Sequence, residues 1–189
     1  MQQNNYLVNE CVPHLLTYNR SGMHFFDDNL YEIEKIHFTQ SHLIEQLFDE
    51  NNNKKRVIVT IAREPTGSIP SYIAHLGNYY LENAIDFGIR EKITEYILMY
   101  SFLCEHADYV IDFNDLIKYP KIVIKKLLEL LNIDKDKYVY FERDIIPRSE
   151  HYIPSSKSLP NYKENLLDGY NLDLCYYYYH KLLEKKIII

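Results

Sequence analysis

The chain has 189 residues, 47% of them hydrophobic and 25% charged, a balance that suits one globular domain with a substantial core. Its formal net charge of −6 at pH 7 argues against a broad nucleic-acid-binding face and leaves room only for a local basic pocket. Cys11, Cys104 and Cys175 are odd in number and far apart, so they read as reduced thiols of a cytoplasmic protein rather than as a metal site or a disulfide framework. No apolar run approaches the ~20 residues of a membrane span, and the opening MQQNNYLVNE lacks the basic and apolar parts of a signal peptide.

Four short apolar runs predict buried strands at 15–18, 36–39, 56–62 and 109–113. The third, RVIVTIA, is continuously apolar and β-branched, the pattern of a strand covered on both faces. Helical spacing falls between and after them, at 22–34, 43–49, 68–83, 90–106 and 120–131, with Pro120 in the first turn of the last of these. The segment 162–186 reads as mostly helical with an interruption near Gly169, and its Tyr176 to Tyr179 run surrounds a helix, so that some rings are core and others surface. Strands alternating with helices predict an α/β fold around a parallel sheet of about four to five strands. The chain is expected to be one domain, 1–189, with a core at 13–134 and a C-terminal segment, 135–189, packed on it.

Ligands of such sheets bind beyond the carboxyl ends of the strands, so the residues that follow each strand carry the functional reading. After the first come Arg20, Ser21, Gly22, Met23 and His24, a turn whose amides could open a helix toward an anion, or simply a strand-to-helix turn. After the second come Ser41 and His42; His42 is either a general base or an ordinary surface or packed histidine. After the third come Arg63 and, eight positions on, Ser71, a pair able to grip a phosphate from two sides or a charged surface turn followed by a helix-facing serine. After the fourth, Asn114 or Asp115 reads as a helix cap.

In this order the segments resemble the sulfotransferase family that uses 3′-phosphoadenosine 5′-phosphosulfate (PAPS). That family has a Tyr-Pro-(Lys/Arg)-Ser-Gly-Thr-Thr loop, here Tyr18-Asn19-Arg20-Ser21-Gly22-Met23-His24. It has a Thr/Ser-His-Leu-Pro strand end, here Ser41-His42-Leu43-Ile44. It has a VARNPxDxxxSYY-like segment, here Ile61-Ala62-Arg63-Glu64-Pro65 through Ser71-Tyr72 with the same Arg-to-Ser spacing. Its Tyr-Glu-Asp-Leu … Pro stretch and Leu-rich helix correspond to Phe113-Asn114-Asp115-Leu116 … Pro120 … Leu130-Leu131-Asn132-Ile133. A basic loop that closes over the cofactor is echoed at Ser155-Ser156-Lys157.

The resemblance implies a three-layer α/β/α architecture of the P-loop NTPase-like sulfotransferase type. It implies transfer of a sulfuryl group from PAPS to a hydroxyl or amine of a small-molecule or carbohydrate acceptor. Arg20 would stabilise the transferring group. Ser21, Gly22, Met23 and His24 would cradle the 5′-phosphate, Arg63 and Ser71 would bind the 3′-phosphate, Lys157 would add charge, and His42 would be the base. No metal is expected. Met23 and His24 stand where the family has hydroxyl residues, and Phe113 where it has Tyr. Little sequence separates the first loop from His42, so the acceptor pocket is open, small, or completed by another subunit of a homo-oligomer. The rival readings are a catalytically inactive nucleotide-binding module of the same fold, a nucleotide or small-molecule kinase, and a purely structural α/β domain.

Overall fold

The computed structural model describes residues 11–17, 34–37, 55–76, 85–133 and 165–188. Within them the chain is mixed α/β, built on a parallel sheet. Strands β1 (Cys11–Thr17), β2 (Glu34–His37), β3 (Lys55–Ala62) and β4 (Tyr109–Asp112) lie in the order β2-β1-β3-β4. Thr17 is registered with His37, Leu15 with Val59, and Ala62 with Asp112.

All four strands expected from the apolar runs are present, with shifted ends. β1 starts at Cys11, well ahead of its apolar run; at Pro13 it pairs with β3, and among the described residues its pairing with β2 runs from His14 onward. A residue without an N–H breaks the strand pattern, and that hid the strand's beginning. β2 takes in Glu34, which the periodicity assigned to a helix. The helices expected at 22–34 and 43–49 otherwise lie outside the described residues.

Helix α1 (Pro65–Leu76) begins directly after β3 rather than at 68. Pro65 fixes a helical φ at a position whose N–H would be unpaired in any case, while Pro70, inside the same helix, masks the periodicity. Helix α2 (Ile85–His106) is longer than the apolar spacing at 90–106 indicated. Phe113, read as the end of a strand, is the first residue of helix α3 (Phe113–Lys118). The cap is Asp112, whose carboxylate accepts the Asn114 N–H at 2.9 Å; Asn114 and Asp115 are already in the helix, which corrects the cap assignment. Helix α4 (Pro120–Leu130) opens on its proline as expected. In the C-terminal segment Gly169 adopts φ +84°, a left-handed conformation that ends a turn before helix α5 (Asp173–Leu183).

Alternation along β3 sends side chains to two cores. Ile58 and Ala62 join Ile69, Ile73, Tyr96, Met99, Tyr100, Leu103, Cys175 and Tyr179, contributed by α1, α2 and α5. Val59 and Ile61 join Leu15, Ile111, Phe113, Leu116, Ile124 and Leu127, from β1, β4, α3 and α4. Both faces of β3 are therefore buried, which is why its sequence never alternates. Beyond β4, Lys186 bridges to Val110, and the Ile187 N–H donates to the Val110 carbonyl at 2.8 Å. Lys186 Nζ also lies 3.3 Å from Asp115 and 3.7 Å from Asp112. No helix among the described residues is long and apolar enough to cross a membrane.

Candidate functional site

The strand order sets where a ligand would sit. From β1 the chain moves to β2 on one flank, then crosses back to β3 on the other. In open parallel sheets ligands bind where the direction switches, which here is at the carboxyl ends of β1 and β3. Arg63 is the first residue beyond β3, so it stands at that edge by topology alone.

Arg63 is only 7% exposed, and three features of its surroundings hold it. Its backbone has left the sheet ladder, and the hydroxyls of two tyrosines on α2 take over. The Arg63 N–H donates to Tyr100 Oη at 2.8 Å. The Arg63 carbonyl accepts from Tyr96 Oη at 2.7 Å and from Tyr100 Oη at 2.8 Å. The two rings, four residues apart on one helix face, stack with centroids 3.9 Å apart. Burial first, then the neighbouring Tyr100, pushes the Tyr96 hydroxyl well above the ordinary phenol range, so it stays a donor at neutral pH.

The side chain is held differently. The guanidinium carbon lies 4.5 Å from the centre of the Phe113 ring, a cation–π contact at the start of α3. Gly67, in the first turn of α1, is also beside it: a Cβ there would come within 3.1 Å of Arg63 Nε. Glycine here gives the guanidinium room to lie against the helix. Ser71, 2% exposed, follows Gly67 by four residues and so shares its face of α1 one turn on. The Arg63 side chain, from outside the helix, thus lies against the face of α1 that carries Ser71 one turn on.

Helix α5 closes on this edge. Tyr176 Oη and Thr66 Oγ1 are 3.2 Å apart. Tyr179 is buried, and burial first, then Asp112 and Glu64, drives its hydroxyl far above the normal range. Tyr177, by contrast, is exposed, so the tyrosine run divides between core and surface. Two buried hydroxyls, Thr60 Oγ1 on β3 and Ser68 Oγ on α1, have no hydrogen-bond partner among the described residues.

Of the site residues expected from the sequence, Arg63 and Ser71 are the two within the described residues. Arg20, Ser21, Gly22, Met23, His24, His42 and Lys157 lie outside them. Among the described residues no three His, Cys, Asp or Glu side chains come together as a metal group. Sequence reading missed Gly67, Tyr96 and Tyr100. The signal for the tyrosines was present: two phenols at i and i+4 in an apolar helix must each find a polar partner. It also treated Phe113 as the loss of a hydroxyl, whereas the ring is the surface on which the guanidinium rests. No protein-family model matches the chain, and comparisons with curated proteins and with solved structures return no match.

Proposed function

We propose that the protein is a sulfotransferase that moves a sulfuryl group from PAPS to an acceptor hydroxyl or amine, on a three-layer α/β/α architecture of the P-loop-like sulfotransferase type. The observation that carries this reading is the buried Arg63 at the carboxyl end of β3, its guanidinium against Gly67 on the α1 face that bears Ser71. A guanidinium offers a fork of N–H donors suited to a phosphate dianion, and a neighbouring hydroxyl adds a further hydrogen bond. In the proposed site this pair receives the 3′-phosphate, the group that separates PAPS from ATP-like nucleotides.

The remaining roles follow the sequence motifs. The amides of Gly22, Met23 and His24, with Ser21, hold the 5′-phosphate at a helix N-terminus. The acceptor oxygen attacks sulfur in line, the bond from sulfur to the bridging phosphate oxygen breaks, and 3′-phosphoadenosine 5′-phosphate leaves with that electron pair. His42 takes the acceptor proton. Arg20 stabilises the charge on the transferring group and the bridging oxygen, and Lys157 adds positive charge. Positioning and charge stabilisation account for the rate, as in phosphoryl transfer.

Calorimetric titration with 3′-phosphoadenosine 5′-phosphate, AMP and ATP is the first test. The 3′-phosphate compound is expected to bind tightest; equal or absent binding of all three would overturn the reading. The substitution of Met23 and His24 for hydroxyl residues favours a second reading, a binding module that holds the nucleotide without transferring sulfate. Labelled PAPS with a panel of hydroxyl and amine acceptors separates the two: transfer that His42→Ala abolishes identifies the enzyme.

A further inference from the structure

We propose that Tyr96 and Tyr100 are positioning residues that set Arg63 for a nucleotide 3′-phosphate, an inference that rests on the function proposed above. Strand ends usually pass their backbone groups to the next turn or to water. Here the N–H and the carbonyl of one residue, the arginine at the ligand edge, are both bound by side chains from a helix that begins more than twenty residues later. Both backbone groups are partnered: Tyr100 Oη accepts the Arg63 N–H and gives its own proton to the Arg63 carbonyl, whose second lone pair accepts from Tyr96.

The two rings are buried and stacked on each other, so the hydroxyls are carried by a rigid support rather than by mobile side chains. The chain is thereby fixed at the Cα from which the guanidinium departs toward the Phe113 ring and Gly67. An arginine placed before the ligand arrives loses less side-chain freedom on binding. The pair therefore acts on the arm of the nucleotide that Arg63 meets, and on no other part of it.

Tyr100→Phe keeps the stacked ring and removes both of its bonds to Arg63. In this variant the affinity for 3′-phosphoadenosine 5′-phosphate, measured by calorimetry, should fall about tenfold, while AMP, which lacks the 3′-phosphate, changes by less than about twofold. In an Arg63→Ala background the same substitution should alter neither, because its effect passes through the arginine. Hydrogen exchange at the Arg63 amide, read by NMR without nucleotide, should accelerate at least about tenfold, with the interior amides of β3 unchanged. If Tyr100→Phe melts too early to titrate, Tyr96→Phe is the second variant: it leaves the Arg63 N–H bonded and should cost a few-fold in the 3′-phosphate compound only. A loss shared equally by AMP, or one that persists without Arg63, overturns the positioning role while leaving the sulfotransferase reading intact. A wild-type protein that shows no preference for the 3′-phosphate overturns both.

Discussion

On the side of the sheet reached by Ile58 and Ala62, the core holds Tyr72, Tyr96, Tyr100 and Tyr179 together with Met99, Cys104 and Cys175. On the opposite side it is Leu15, Val59, Ile61, Ile111, Leu116, Val123, Ile124, Leu127 and Leu128, with Phe113 the buried aromatic of that cluster. The aliphatic side works by area and shape, without direction. The tyrosine side carries hydroxyls that each demand a partner in a defined place, and two other hydroxyls there, on Thr60 and Ser68, find none among the described residues. Arg63 stands where the two kinds of core meet: its backbone is bound by tyrosines from one and its guanidinium rests on the phenylalanine of the other. One face supplies stability, and the other supplies placement.

The largest expected effect lies on the aliphatic side. Leu127 is fully buried on α4, and Leu127→Ala should lower the unfolding free energy by about 2–5 kcal/mol through lost burial and the cavity left behind. Denaturant titration measures this, while the preference for a nucleotide 3′-phosphate should survive in whatever fraction stays folded. A selective loss of that preference would break the division between the faces.

Thr60→Val tests the tyrosine side with the opposite sign. The hydroxyl is buried with no partner among the described residues, so replacing it with a methyl group should raise stability by roughly 1 kcal/mol. A fall in the thermal midpoint would mean that the hydroxyl is bonded in solution.

Alkaline pH should act on the same side. Burial pushes the Cys175 thiol from 9.0 up to about 11 and also raises Cys104. The folded state then holds its protons after the unfolded chain has released them. Stability is fully present below about pH 9, where both states are protonated, and is lost as pH rises from there toward 11. The thermal midpoint should be level from about pH 7 to 8 and fall above 9, with Cys175→Ala flattening the decline. The smallest effect belongs to Lys186→Ala, whose partners Asp112 and Asp115 lie at a partly exposed site. It should cost at most about 1 kcal/mol, less in high salt.

The contrast between the faces also governs what could be read from the sequence. RVIVTIA declared a doubly covered strand because burial on both sides leaves a run with no polar break. Pro120 and the apolar spacing after it marked α4 almost to the residue. Arg63 and Ser71 could be nominated because an arginine directly after a strand and a serine in the following helix are defined by local order. Tyr96 and Tyr100 signalled only that each phenol needs a polar partner; which one could not be read, because it lies 33 and 37 residues away in sequence. Gly67 carried no reading of its own, because its role depends on the guanidinium beside it. Asp112 was rightly read as part of a strand, but its capping role depends on where β4 stops, and strand ends are set by the partner strand, here through Ala62.

The bridge from Val110 to Lys186, with the Ile187 N–H on the Val110 carbonyl, has a consequence for the behaviour of the protein at high concentration. An unpaired strand flank is a template on which another chain can add itself. β4 is the last strand in the order on its side, and its centre is occupied by residues that α5 delivers immediately after its final turn. A variant in which α5 detaches would lose more than packing: it would bare a short, β-branched edge and favour self-association. Light scattering during a slow thermal ramp should therefore rise earlier for an Ile187→Pro protein, which lacks that N–H, than for one in which the same position is changed to valine.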